Sequence, residues 1–371
     1  MILYNEWMHF IPSPPLSAGR APRISAAANL SVYGTAHAAV DCACVAVVFS
    51  IFSGGQVSGQ AFAGLFILYN VLAFGSQPIF GFAADSFRAP RFAAVGGCAL
   101  AAAAAGMAAS FPTAAIIAAG LGNAAFHVGG GTIALSLDPG KAAAPGIYVA
   151  PGALGVLAGT LLGRHWNSAA WPVIAALGLL CALMLGVRTP AVNYGRRAAA
   201  EPPRFKLILV LALVAIFGRA LAGTALVFPW KSHMELLVAL TAATAAGKAF
   251  GGVLGDLFGW LRTSVAALLL SIPFIVFFPH LAVLAIFGVF LFNIAMPITL
   301  ALISGLLPGN PGFAFGLTCL ALLAGSLPSF NAILLPVLGG KWIVFSVACL
   351  AALSLYAALK NYVPGEIKCV N

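Results

Sequence analysis

The chain has 371 residues, of which 62% are hydrophobic and only 7% charged, with a mean hydropathy of +1.05. No single water-excluding core absorbs that much apolar surface, so the soluble globular classes are excluded and the solvent implied is lipid. The net charge of +10 sits on basic residues spaced singly between apolar segments, without the aromatic-interleaved patch of a nucleic-acid surface, and no nucleic-acid partner is expected.

In chain order, residues 1–24 carry Pro12, Pro14, Pro15 and Pro22 with Arg20 and Arg23, and no apolar stretch ahead of a small-residue cleavage site. They read as a short cytosolic lead rather than a signal peptide. Apolar segments near the length of a bilayer-crossing helix then predict spans at 26–52, 60–84, 91–110, 112–137, 142–163 and 169–187. Residues 188–206, with Arg188, Arg196, Arg197, Arg204 and Lys206 against Glu201, are the densest basic stretch and read as a cytoplasmic linker. Six more spans follow at 207–230, 236–258, 263–279, 281–306, 312–336 and 341–362, ahead of a tail at 364–371. Runs such as Leu207 to Phe217 and Val265 to Phe278 are apolar on every face, which rules out the alternation of a β-barrel. The expected fold is an all-α polytopic membrane protein of twelve transmembrane helices, with six-helix bundles at 25–187 and 207–363.

Placing both termini in the cytoplasm puts Arg20, Arg23, Arg88, Arg91, Lys141, the five basic linker residues, Arg262, Lys360 and Lys368 inside, and only Arg164, Lys231 and Lys341 outside. The positive-inside rule therefore orients the chain in a plasma (inner) membrane as a multi-pass protein. Six of the seven cysteines lie in apolar segments. Cys42 and Cys44 diverge on a helix and have no second pair, so neither a metal nor another cofactor is expected.

The halves share ordered motifs. Gly81 and Asp85 correspond to Gly252 and Asp256, with Arg91 and Arg262 each six residues after the aspartate. Asn123 corresponds to Asn293, and Pro145-Gly146 with Leu157-Ala158-Gly159 to Pro311-Gly312 with Leu323-Ala324-Gly325. Duplicated bundles of this kind rock about a central site. At the cytoplasmic helix end, small Gly81 lets a neighbour approach, and Asp85 can hold a basic residue or a helix N-terminus in one conformation and release it in another. Asp85, Arg88, Arg91, Asp256 and Arg262 are the gating candidates.

The glycine and aspartate followed by basic residues after the second helix, repeated at Gly247-Lys248, Gly251-Gly252, Gly255-Asp256 and Arg262, resemble the signature of the major facilitator superfamily. Ser86 departs from it, standing where the family usually has a basic residue. His37 and Asp41, Gln77-Pro78, and Gly122-Asn123-Ala124-Ala125-Phe126-His127 are most similar to the fosmidomycin-resistance-type subfamily, a likeness confined to the N-terminal half. The superfamily resemblance implies two pseudo-symmetric bundles with helices one, four, seven and ten lining a cavity, which would gather Asp41, His127, Arg219 and Asn293 around one chamber.

His37 and Asp41 are four residues apart on one helix face, roughly 20 Å into the bilayer. Ionisable groups at that depth face a bundle interior, and the pair is either a proton-coupling site or a structural hydrogen bond. Arg219 and Lys248 lie at similar depth and suit an anion, unless Arg219 simply neutralises Asp41. With His127, Asn293 and Asn123 they are the substrate-site candidates. The fifth helix carries a packing stripe of Gly152, Gly155, Gly159 and Gly163.

The expected function is secondary active transport of a small organic solute by alternating access, proton-coupled, with an anionic substrate and a monomeric protein in the bilayer. Proton-driven efflux of a drug-like compound is an alternative on the same fold; a channel or a non-transporting sensor is an alternative of different class. No Walker spacing provides for ATP, and no nucleophile–base or His-Glu-x-x-His cluster provides for an enzyme.

Overall fold

The computed structural model describes residues 23–55, 57–195, 197–198, 204–362 and 369–370. Arg20 and most of the lead, Arg196 and Glu201 of the linker, and Lys368 in the tail lie outside the described residues.

The described chain has 12 helices long and apolar enough to cross a membrane. They are α1 (Ala26–Ser53), α2 (Gly59–Ser86), α3 (Pro90–Met107), α4 (Pro112–Leu137), α5 (Ala143–His165) and α6 (Ala169–Gly186), then α7 (Phe205–Ala225), α8 (Met234–Phe258), α9 (Trp260–Phe277), α10 (Ala282–Leu306), α11 (Pro311–Phe330) and α12 (Lys341–Asn361). Proline opens α3, α4 and α11, where the amide it lacks has no partner in the first turn anyway. Glycines with positive φ turn the chain after α4, α8 and α10, at Gly140, Gly259 and Gly309.

Two spans end earlier than hydropathy predicts. Residues 226–230 are apolar, but α7 stops at Ala225 because Pro229 disfavours a helix before it, and Leu226 is already extended. The segment predicted to run to 336 closes in a 3-10 turn at Leu327–Phe330 around Pro328, and a separate short helix follows at Leu334–Leu338. Inside α2 the ladder widens into a π turn at Val71–Gly75, just ahead of Pro78, whose missing amide and ring disturb the preceding turn.

One apolar core, with Tyr33, Phe126, Ile133 and Leu177 at its centre, is drawn almost entirely from α1 to α6. A second, with Ile216, Leu268, Ile275 and Leu302, is drawn from α7 to α12. The glycine stripe of α5 packs on α1 one turn at a time: Gly155 lies on the Ala38 backbone, Gly159 on Cys42, and Gly163 beside Ala46 and Phe49. The helices α1, α4 and α10 are the most buried, and α6 the least. Large apolar side chains such as Phe92, Trp171, Val283 and Leu353 point outward, as a lipid-facing surface requires. The chain is a multi-pass α-helical membrane protein of two six-helix bundles.

Candidate functional site

At the centre of the N-terminal half, α1 and α4 each present a polar pair four residues apart. Asp41 is the meeting point. His37 Nε2 lies 3.3 Å from its Oδ2, and His127 Nε2 lies 3.5 Å from its Oδ1. Asn123 Nδ2 donates to the same Oδ1 at 2.9 Å. The far nitrogen of each imidazole is held by backbone: His37 Nδ1–H donates to the Tyr148 carbonyl of α5 at 3.0 Å, and His127 Nδ1–H to the Asn123 carbonyl at 2.8 Å. All four side chains are buried. The rings of His37 and His127 meet edge to face, with Phe126 and Tyr148 around His37 and Phe315 of α11 beside His127.

Gly152 makes room for this cluster. A Cβ there would lie 2.5 Å from His37 Nε2 and 2.6 Å from Asp41 Oδ2, so the absent side chain lets both groups sit against α5. The donor atoms of His37, Asp41 and His127 fall within 4.8 Å of one another. Three donors are one short of the four that a structural zinc site takes, and the described residues bring no further histidine, cysteine or carboxylate into the group.

Across the bundle interface, Arg219 of α7 is buried and its Nε has no hydrogen-bond partner, while Lys248 of α8 is half-buried. Lys248 is near enough to Asp41, His127 and Arg219 for their charges to interact. Among the described residues, the only ion-pair contacts within 4.0 Å are those of Asp41 with the two histidines, so neither cation is paired to a carboxylate. The Asn293 amide donates to the Val289 carbonyl of its own helix, and no hydrogen bond joins it to Asp41 or His127 among the described residues.

Two latches join the halves at one end. Asp85 of α2 accepts from the amides of Gly312 and Phe313 at 3.1 and 2.8 Å, capping the start of α11. Asp256 of α8 accepts from the amides of Ala142 at 2.9 and 3.0 Å and of Ala143 at 2.8 Å, capping the start of α5, and from Trp260 Nε1 at 2.9 Å. Exposed helix amides and the positive end of the helix dipole suit a carboxylate. Close backbone contacts seat each latch, Gly81 on Gly312 and Gly252 on Ala142, where a side chain would collide with main chain. The partner of the aspartate is thus a helix N-terminus and not a basic side chain. The latch also corrects the repeat register. Gly312 corresponds to Ala142 rather than Gly146, and Gly325, packed on Phe217, to Gly155, packed on Ala38; matching the Pro-Gly and Leu-Ala-Gly motifs places these one turn too late.

The basic gating candidates sit elsewhere. Arg91 donates to the Val187 carbonyl and to Thr189 Oγ1 at 2.8 and 3.1 Å, tying α3 to the linker. Arg88, with a left-handed φ of 53°, and Arg262 are exposed. Tyr194 of the linker feels the charges of both Asp85 and Arg88, and its burial pushes its phenol pKa up. The sequence reading missed Tyr194, the Tyr148 carbonyl, Gly152 as a wall of the cluster, and the α5 start as a latch partner. The pairing of Asn123 with His127 at a spacing of four, repeating that of His37 with Asp41, was the available signal for the four-residue cluster.

No family model and no curated protein matches the sequence. The structure is similar to solved ones. A variant of the E. coli fucose:proton symporter FucP superposes with a TM-score of 0.70 at 12% identity, over 91% of this chain and 98% of that one. FucP in its outward conformation, described as a major facilitator superfamily transporter, gives 0.67 at 14% identity over 91% and 98%. The human organic anion transporter MFSD10 (TETRAN) gives 0.67 at 16% identity over 91% and 100%. The twelve helices and their division into two related bundles are those of the major facilitator fold.

Proposed function

We propose that this chain is a secondary active transporter of a small organic anion, coupled to protons and working by alternating access. The observation that carries the reading is the division of charge at the bundle interface. A buried carboxylate stands between two imidazoles on one side, and two cations without a carboxylate partner stand on the other. Groups that exchange protons near neutral pH suit coupling, and a guanidinium with an unpartnered nitrogen beside an ammonium suits carboxylate or phosphate oxygens. Proton symport in the name of FucP and organic anion transport in that of MFSD10 agree with both halves of the proposal.

Asp41 with His37 is the proton site, Arg219 and Lys248 hold the anion, and Asp85 and Asp256 are the gate. With both latches made at the end assigned to the cytoplasm, this conformation is closed to the cytoplasm. The basic residues keep both termini cytoplasmic in a plasma membrane, and the bundles at 25–187 and 207–363 move as units in a monomer.

Purified protein in liposomes tests the class. Substrate-accelerated counterflow of an organic anion is the expected result, and flux that never saturates would instead mark a channel. A thermal-shift comparison of organic anions with lipophilic cations selects the ligand, since a binder stabilises the state it occupies. Stabilisation by the cations alone would favour drug efflux.

A further inference from the structure

The two imidazoles around Asp41 share a constraint that fixes how many protons the cluster holds. Each Nδ1 faces a backbone carbonyl, at 3.0 Å for His37 and 2.8 Å for His127. A carbonyl only accepts, so each Nδ1 carries hydrogen, and in a neutral ring the Nε2 is then a bare acceptor. Both Nε2 atoms point at Asp41, on different oxygens. An ionised carboxylate also only accepts. With the three groups in their ordinary neutral-pH forms, two acceptor-to-acceptor contacts would be buried side by side, which a low-dielectric site penalises. One proton relieves one contact. The other needs a second.

We infer that His37, Asp41 and His127 form a two-proton site, in which the His127 Nε2 to Asp41 Oδ1 contact binds a proton of its own beside the one at His37 Nε2 and Oδ2. The inference rests on the reading of Asp41 as the proton-coupling carboxylate and moves His127 and Asn123 from the substrate site to the proton site. Asn123 positions the carboxylate, donating to the oxygen that His127 faces.

The surroundings separate the two protons. The other titratable groups near enough to Asp41 for its charge to act on them are Cys42 and Cys44 of α1, Tyr69 of α2, Tyr148 of α5, Lys248 of α8 and Cys319 of α11. Only Lys248 among them is ordinarily charged, and Arg219 stands close behind it. The first proton leaves the cluster neutral. The second makes it cationic and adds to two cations already facing it. An anion seated on Lys248 and Arg219 removes that repulsion, so the anion and the second proton favour each other's binding, as linkage requires.

Nitrogen-15 histidine NMR on the full-length protein in detergent tests this without a substrate. The chain has 6 histidines, and the two signals are assigned by their loss in His37→Gln and His127→Gln. Between about pH 8 and about pH 5, wild type is expected to take up two protons in two steps, with both rings reporting each step and both keeping hydrogen on Nδ1. His127→Gln should leave one step. Lys248→Gln should move the second step to higher pH, because a repelling charge is gone. A His127 that stays neutral with its hydrogen on Nε2 overturns the two-proton site, as does a single step in wild type; since the wild-type spectrum counts the steps itself, that outcome stands even where a variant fails to fold. His37 titrating with Asp41 while His127 stays silent removes this inference and leaves the coupling reading. Neither ring titrating removes both.

Discussion

At the centre of the N-terminal half the buried ionisable groups answer one another: Asp41 is met by His37 and His127, with Asn123 donating to it, and both imidazoles are anchored to carbonyls behind. In the C-terminal half the corresponding depth holds Arg219, with an unpartnered Nε, and Lys248, with no carboxylate within 4.0 Å among the described residues. Folding alone rewards the first arrangement and penalises the second, because an uncompensated buried cation costs free energy. On the proposed reading, a fold that leaves its unpaired buried charge on one side has divided its work, with the closed network for protons and the open one for a solute.

Removing the carboxylate is the severest way to break that division. Asp41→Asn is expected to abolish accumulation driven by a pH gradient in liposomes while energy-independent exchange persists, and an unaltered proton dependence would take Asp41 out of the mechanism. Arg219→Gln comes next. Loss of charge-assisted hydrogen bonds worth about 1.5 to 3 kcal/mol should weaken an anionic ligand about 10- to 150-fold and spare a neutral analogue, as read by binding titration; equal losses would mark Arg219 as structural.

A subtler change sharpens the comparison from the backbone side. Gly152→Ala pushes a methyl group against His37 and Asp41, an overpacking cost of about 1 to 3 kcal/mol, and should lower Tm and disturb proton coupling together. Gly178→Ala in α6, where a Cβ meets nothing within 4 Å, should do neither. The smallest effect is expected at the gate. A carboxylate at a helix N-terminus contributes about 0.3 to 2 kcal/mol, so Asp85→Asn and Asp256→Asn should each open the latched end a few-fold, and the double variant by their product. Maleimide labelling of Ser304→Cys, in a cavity at that end, reads the change; equal labelling in all forms would show that the latches do not hold the gate.

The twelve spans were legible because lipid imposes one rule on every residue of a crossing helix, and that rule shows in a window of hydropathy. Their ends were less legible, because a hydropathy window averages over a single proline. An apolar loop such as Leu226 to Trp230 reads like more helix, so hydropathy overran α7. The π turn at Val71–Gly75 is marked only by Pro78 after it, and a proline does not say how the turn before it rearranges. At the site, His37 with Asp41 was readable because neighbours on one helix face are fixed by spacing alone. That His127 and Asn123 close on the same carboxylate depends on how α1 packs against α4, with Gly152 of α5 behind, and no local pattern states a packing distance. The latches were half visible. The aspartates repeat in sequence, but their partners are backbone amides, which every residue except proline possesses.

The helix α5 begins where Asp256 grips the chain at Ala142 and Ala143, and about 14 Å further along its axis its backbone at Gly152 bears on His37 and Asp41. A rod clamped at one end and touching the His37–Asp41 cluster at its middle needs no relay of side chains to register whether the clamp is shut. Pro151, inside the helix and next to that contact, leaves the rod a joint there, so a release at the gate would arrive at the histidines as a change of angle.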